Sequence, residues 1–261
     1  MTTQRLGLAL AVALVVMPAT VAAGEEAERA ACKRGDAAGC LGLAGRYDRG
    51  DGVARDKLKA AVLFKKACTL KKAEGCLGSG RLLASGDLGS VDDVNAAKQY
   101  RRGCDLGNGA SCEELGRAYV DGRGVKKNAR RGLAQLDKAC RKGVAVACRA
   151  AAQFVAAGVA GNKDPVRAAA LFESGCTLAD PNSCAALASA RLDGNGVGKD
   201  TAVALTLFEK ACGLESAAAC ARIGILLARG GSGVEKNPQR AEPFLKKACD
   251  LGAPSACSLL W

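Results

Sequence analysis

Apolar positions recur along this chain in a single motif that is repeated with little change. Between Asp200 and Cys212 they fall at Ala204, Leu207, Phe208 and Ala211, the i, i+3, i+4, i+7 stripe of an amphipathic helix. A small residue followed four positions later by a large apolar one recurs at Ala60/Phe64, Ala96/Tyr100, Gly132/Leu136, Ala168/Phe172, Ala204/Phe208 and Ala241/Leu245. Four residues before each small position stands Asp56, Asp92, Asn128, Asp164, Asp200 or Asn237. These side chains are suited to accept hydrogen bonds from the free N–H groups that open a helix, and Pro165 and Pro238 follow at the first helical position, where proline is tolerated. Upstream, a first apolar-periodic run ends at Gly50, Gly86, Gly122, Gly158, Gly194 or Gly230, the left-handed stop of a helix. Each unit therefore predicts helix A, a loop, helix B and a tight turn. Asp36, Asn108, Asp180 and Ser216 are placed to cap A helices, and Pro181 and Pro254 follow at the next position.

Cysteines set the period. They stand at Cys32/Cys40, Cys68/Cys76, Cys104/Cys112, Cys140/Cys148, Cys176/Cys184, Cys212/Cys220 and Cys249/Cys257, with 36 residues between successive pairs and 37 for the last. A fixed period of this length marks a stacked repeat array. Each pair brackets the turn from one helix B to the next helix A, where antiparallel helices approach most closely. Ala67, Gly75, Ala139, Ala147, Ala211 and Ala219 beside the cysteines permit the close Cα approach that a disulfide needs. Seven local bridges are expected, each contributing about 2.5 kcal/mol by loop entropy; free or metal-bound thiols are the alternative. Zinc is disfavoured because the chain has no histidine and no CxxC pair, and no cofactor is expected. The last unit gains one residue in Gly230–Gly233 and stops soon after Cys257, at Ser258-Leu259-Leu260-Trp261. That apolar end is expected either to bury itself on the last hairpin or to form a self-association surface, and the oligomeric state is open.

The N-terminus changes the compartment. Arg5, an apolar run from Leu6 to Met17 and Val21-Ala22-Ala23 have the layout of a secretory leader cleaved after Ala23. The run is too short to span a bilayer, and Pro18 interrupts it. The expectation is an exported chain, periplasmic or secreted, with a leader at 1–23, a repeat solenoid at 24–261 and no membrane-spanning segment in the mature protein. An oxidising compartment agrees with the even cysteine count. The net charge of +12 favours anionic partners. Nucleic acid is a poor candidate because only 3% of residues are aromatic. Many cations also sit at the ends of B helices, as Lys65-Lys66, Arg101-Arg102, Lys138, Lys210 and Lys246-Lys247, where they oppose the helix dipole.

Little in the chain points to catalysis. Without histidine there is no histidine-based triad, and the serine β-lactamase motifs are missing. Thr69-Leu70-Lys71-Lys72 has threonine-lysine spacing but crosses a predicted turn. Gly194–Lys199 looks like a phosphate loop only superficially, because its place in the repeat makes it an A–B connection. Glu113-Glu114 and Asp92-Asp93 are adjacent and so do not share a helix face. For binding, the candidates are the polar positions of helix A: Arg81, Arg117, Gln153 and Ser189, with Arg49 and Arg229 four residues further along the helix. Such arginines in a concave groove are suited to an acidic peptide segment. Tyr47 and Tyr119 are expected to pack between helices.

Segments such as LGRAYVDGRGVKKNARRGLAQLDKAC (115–140) and LASARLDGNGVGKDTAVALTLFEKAC (187–212) resemble the Sel-one-like repeat, a relative of the tetratricopeptide repeat. The doubled cysteine grid over residues 32–261 is similar to that of the Helicobacter cysteine-rich protein family. The Gly-x-Gly-Val loop is intact at Gly50–Val53, Gly122–Val125 and Gly194–Val197 and altered at Gly86–Val91 and Gly158–Lys163. The resemblance implies an all-α, right-handed α/α superhelical solenoid of about six 36-residue helix-turn-helix repeats with one disulfide per hairpin. It implies a scaffold for protein or peptide interactions. Through the cysteine-rich family it also implies an alternative, penicillin binding or weak β-lactam hydrolysis.

Overall fold

The computed structural model describes residues 19–259. The expected leader at 1–23 therefore falls largely outside the described residues, as do Leu260 and Trp261. Helix α1 (Ala19–Lys33) is an unpaired B helix leading into the first turn. Six A/B pairs follow: α2 (Ala37–Arg49) with α3 (Lys57–Thr69), α4 (Ala73–Ser85) with α5 (Asp93–Asp105), and α6 (Gly109–Asp121) with α7 (Ala129–Arg141). Then come α8 (Ala145–Ala157) with α9 (Pro165–Thr177), α10 (Pro181–Asp193) with α11 (Thr201–Gly213), and α12 (Ala217–Arg229) with α13 (Pro238–Asp250). A single turn, α14 (Pro254–Cys257), begins a seventh A helix. Every paired helix is 13 residues long, so the units superimpose along the chain and stack only on their neighbours.

The expected punctuation is observed. Asp56, Asp92, Asn128, Asp164, Asp200 and Asn237 each accept from the backbone N–H three residues on. Their own N–H groups donate back to A-helix carbonyls, as from Asp56 to Tyr47 at 2.9 Å and from Asn128 to Tyr119 at 2.7 Å. Each cap thus closes its loop as well as starting its helix. Asp36, Asn108, Asp180 and Ser216 cap A helices, whereas α4 and α8 begin at Lys72 and Val144 without a side-chain cap. Gly50, Gly86, Gly122, Gly158 and Gly194 are left-handed. Gly230 departs from them at φ 76°, ψ −173°, because the inserted residue opens the loop until Gly231 and Val234 exchange hydrogen bonds.

Seven disulfides close the B-to-A corners at Cα separations of 4.4–4.8 Å. The two cysteines of a bridge are not equivalent. Cys40, Cys76, Cys112, Cys148, Cys184 and Cys220 each stand one turn inside helix A and are 0% exposed. They are bonded in order to Cys32, Cys68, Cys104, Cys140, Cys176 and Cys212. These six are bridged as expected and also belong to the core, where each sulfur staples two helices together. Free thiols, the alternative reading of the cysteines, do not occur among the described residues. Cys257, bonded to Cys249, is the exception and lies exposed, because no described B helix follows α14 to cover it.

The residues just before the two cysteines face each other, and their sizes are matched. Opposite Ala31 and Ala67 stand Gly39 and Gly75, where an added Cβ would come within 2.5 and 2.7 Å of the alanine methyl. Opposite Ser111 and Ser183 the glycine lies on the other helix, at Gly103 and Gly175. Between the helices of a pair, Phe64, Tyr100, Leu136, Phe208 and Leu245 are buried, while Phe172 is only partly so. Phe64, Leu136 and Leu245 lie directly over Gly78, Gly116 and Gly224, so a large side chain on helix B occupies the space a glycine leaves on helix A.

The B-helix cations do more than oppose their own dipoles. Lys66 Nζ donates to the carbonyl of Cys32 (2.8 Å) and Arg102 to that of Thr69 (3.4 Å). Each closes the C-terminus of the preceding B helix, where carbonyls lack helical partners.

The corner also needs a left-handed residue three places after its first cysteine. Gly35, Gly107, Gly143 and Gly252 supply it, but Lys71, Ala179 and Glu215 hold the same conformation at φ 61–65°. A side chain there costs about 1–2 kcal/mol, partly offset by the chain entropy that glycine adds to the unfolded state. Ala179→Gly and Glu215→Gly should each raise stability by about 0.5–1 kcal/mol, and Gly107→Ala should lower it by about 1 kcal/mol; thermal unfolding of the oxidised protein reads both signs.

Acid acts through the caps. Backbone hydrogen bonds from Lys59 and Asn95 hold the carboxyls of Asp56 and Asp92 below their ordinary value of 3.8. The unfolded chain therefore binds these protons first as pH falls, so the cap stabilisation is complete above that value and is lost below it. Tm should drop as pH is lowered below about 4, and Asp56→Asn with Asp92→Asn should flatten that drop in a pH series of melts.

Candidate functional site

Two rows of helices make two unlike faces. Successive A helices approach one another, as α4 does α6 and α10 does α8 and α12, while successive B helices stand farther apart. The A row is thus the inner side of the stack. At its N-terminal end a depression of about 380 Å³ lies between α2 and α4, with Phe64 and Leu77 among its walls and Asp48, Lys57 and Arg81 at its margin. Lys57 bridges Asp48 at 2.5 Å and Asp87 at 3.5 Å.

The six sequence candidates for partner binding all lie on A helices, but only two come together. Arg81 reaches across from α4 to Glu114 on α6 (3.2 Å), and Arg117 pairs with Glu113 one turn back (2.9 Å). Below them, burial pushes the Tyr100 phenol up to about 12, which keeps it neutral under the ion pairs. Arg49 pairs with Asp51 at the end of α2 (2.6 Å). Gln153 is exposed on α8, and the Ser189 hydroxyl donates to the carbonyl of Ala185 in its own helix. Arg229 is exposed at the end of α12 and makes no ion pair among the described residues.

Sequence reasoning missed the part played by Glu113 and Glu114, which read in the chain only as adjacent acids that do not share a helix face. They do point to different partners, as adjacency requires, yet each is the counter-ion of a candidate arginine. The Glu113–Arg117 spacing of four was legible as a helical pair. The Arg81–Glu114 contact joins neighbouring units and has no local signal. The inner face is consequently a mixed-charge surface. Ion pairs with solvent-exposed arginines of this kind are worth about 0–1 kcal/mol.

The positions with superficially catalytic spacing have structural duties. Thr69 donates its hydroxyl to the carbonyl of Lys66, Lys71 takes the left-handed turn position and Lys72 pairs with Glu74. Gly194–Lys199 is the connection between α10 and α11. Tyr47 and Tyr119 are buried, their hydroxyls bonded to Arg29 (2.9 Å) and Arg101 (2.7 Å). No group of three or more acidic, cysteine or histidine side chains suited to a metal ion occurs among the described residues. Within the same range, no helix is long and apolar enough to cross a membrane.

Comparison with known proteins agrees with this architecture. A search of curated proteins returns no match. Among solved structures, a protective antigen of uropathogenic Escherichia coli strains displaying an SLR fold aligns over 88% of this chain at 23% identity and a TM-score of 0.80. This chain spans only 49% of that protein's length. A Sel1 repeat protein from Oxalobacter formigenes aligns over 87% of this chain and 99% of its own, at 22% identity and a TM-score of 0.73. Helicobacter pylori cysteine rich protein B aligns at 27% identity over 64% of this chain and 93% of its own, with a TM-score of 0.25. The Sel1 repeat model matches residues 37–72, 109–144, 145–180, 181–216 and 217–252. The unmatched unit, 73–108, has the same helices and a disulfide at each end but carries the altered Gly86–Val91 loop in place of Gly-x-Gly-Val. With more than half of its length matched, the chain belongs to the Sel1 repeat family, whose repeats form scaffolds for protein–protein interaction.

Proposed function

We propose that the protein is an exported, fully oxidised scaffold that binds a protein or peptide segment along its A-helix face. The observation that carries this reading is the Arg81–Glu114 and Arg117–Glu113 cluster beside the depression between α2 and α4. It offers exchangeable charges of both signs next to an apolar hollow on the inner side of the stack. Gln153, Ser189 and Arg229 extend the same row toward the C-terminal end, and Arg49 borders it at the N-terminal end. Export is supported by the leader-like residues 1–23 and by the oxidation of every cysteine, a state that belongs to oxidising compartments.

Two measurements test it. The protein recovered from its native compartment should begin at Gly24 and weigh two hydrogens less than the reduced chain for each of its seven bridges; retained thiols or an intact leader would sink the export reading. A photo-cross-linking residue at Gln153 should capture a discrete partner that the same residue at exposed Glu173, on the B face, does not. Arg81→Glu with Arg117→Glu should weaken that capture about tenfold, as loss of two charge-assisted contacts predicts. Equal capture from both faces would overturn the assignment of the binding face.

A further inference from the structure

The B face carries a second and independent site. Successive B helices meet along seams, and the position three before each first cysteine faces the third residue after the next cap. In two of the later seams an acid on one helix meets a cation on the next: Asp137 on α7 pairs with Arg167 on α9 (2.5 Å), and Glu209 on α11 with Arg240 on α13 (3.4 Å). In the first seam both places are cationic, Arg29 on α1 and Lys59 on α3. The carboxylate that closes those two seams is absent from these two places, as it is from Arg101 and Arg131 in the third seam.

What the first seam has instead is a groove. It encloses about 460 Å³, the size of a small-molecule site, and its apolar side is built from Leu43, Leu58, Val62 and Leu63. Leu58 and Val62 are each 67% exposed, unusual for large aliphatic side chains in so small a patch. Lys33 and Lys66 complete a rim of four cations with Arg29 and Lys59, and no acid lines the groove among the described residues. Arg29 also contacts Glu25 and Lys59 contacts Asp56, but exposed pairs within one helix or its cap are weak.

The groove is one seam long. In the next seam Val62 and Leu63 are replaced by Lys98 and Gln99, so the apolar strip does not continue along the stack as an extended peptide or partner helix would require. We propose that the groove between α1 and α3 binds an anionic amphiphile, a single acyl chain bearing a carboxylate. The carboxylate takes between Arg29 and Lys59 the place that Asp137 and Glu209 hold in the later seams, and the chain lies on Leu58 and Val62. The proposal does not depend on the A-face reading.

The test is titration of the oxidised protein with dodecanoate by calorimetry, beside dodecyltrimethylammonium, acetate and a leucine- and glutamate-rich peptide. Dodecanoate should bind at one site, and acetate and the cationic amphiphile should not. Arg29→Asp, which sets an acid opposite Lys59 as Asp137 stands opposite Arg167, and Val62→Asp should each weaken dodecanoate binding about tenfold or more while leaving the far-UV spectrum in place. Tm should hold in Val62→Asp, whereas Arg29→Asp also releases the Tyr47 hydroxyl. Lys98→Glu in the next seam should leave it unchanged. Equal binding of the cationic amphiphile, tighter binding of the peptide than of dodecanoate, or indifference to both groove variants would overturn the proposal.

Discussion

The corner where helix B turns into helix A governs the rest of the molecule. Two helices are held there with Cα atoms 4.4–4.8 Å apart, closer than helices pack when ordinary side chains separate them. Such an approach is possible only if the neighbouring contact is nearly bare. This accounts for the reciprocal sizes of the pairs Ala31/Gly39, Gly103/Ser111 and Gly175/Ser183. Glycine stands on one side in four corners, and alanine on both sides in the other three, Ala139/Ala147, Ala211/Ala219 and Ala248/Ala256, so each contact holds only small residues. The disulfide and the small-residue pair are thus two parts of a single device, and the left-handed residue at the turn is a third.

That device compensates for a thin core. Most units bury one or two large B-helix side chains against helix A, Phe172 being only partly covered, and aromatic residues are few. The bridges belong to that core: six of the seven hold their A-helix sulfur wholly out of solvent. In a linear stack no residue gains from distant neighbours, so stability is close to a sum over units and their interfaces. A bridge that contributes about 2.5 kcal/mol per corner is large on that scale. Stabilisation from the covalent corners leaves the exposed helix faces free to differ from unit to unit, and they do.

The differences fall into two surfaces. On the inner face, arginines and glutamates neutralise one another across and within A helices, leaving a polar surface of mixed charge. On the outer face the chain changes character along its length, from cations at Arg29 and Lys59 in the first seam to acid–cation pairs at Asp137/Arg167 and Glu209/Arg240. The same two positions of the repeat therefore make an open cationic groove at one end and a closed ion pair at the other. Nothing in the backbone distinguishes the seams; the side chains at those two positions do.

Most of the fold was legible in the chain because its causes are local. Caps at Asp56 and Asn128, stops at Gly50 and Gly122, the helical stripe and the eight-residue cysteine spacing all act within one turn or one corner, and the repeat states them six times. The left-handed corner was less legible, since Gly35, Gly107 and Gly143 announce it whereas Lys71, Ala179 and Glu215 conceal it. The surfaces were not legible. Arg81 was visible as a polar position on helix A, but its partner Glu114 stands on the next unit's helix, and Arg29 and Lys59 are brought to one seam only by the stacking of α1 on α3. Sequence alone determined every element whose hydrogen bonds close within a unit. Tertiary structure decided which charges meet, because stacking places side chains about one repeat apart in contact and no local rule records what the neighbouring unit presents.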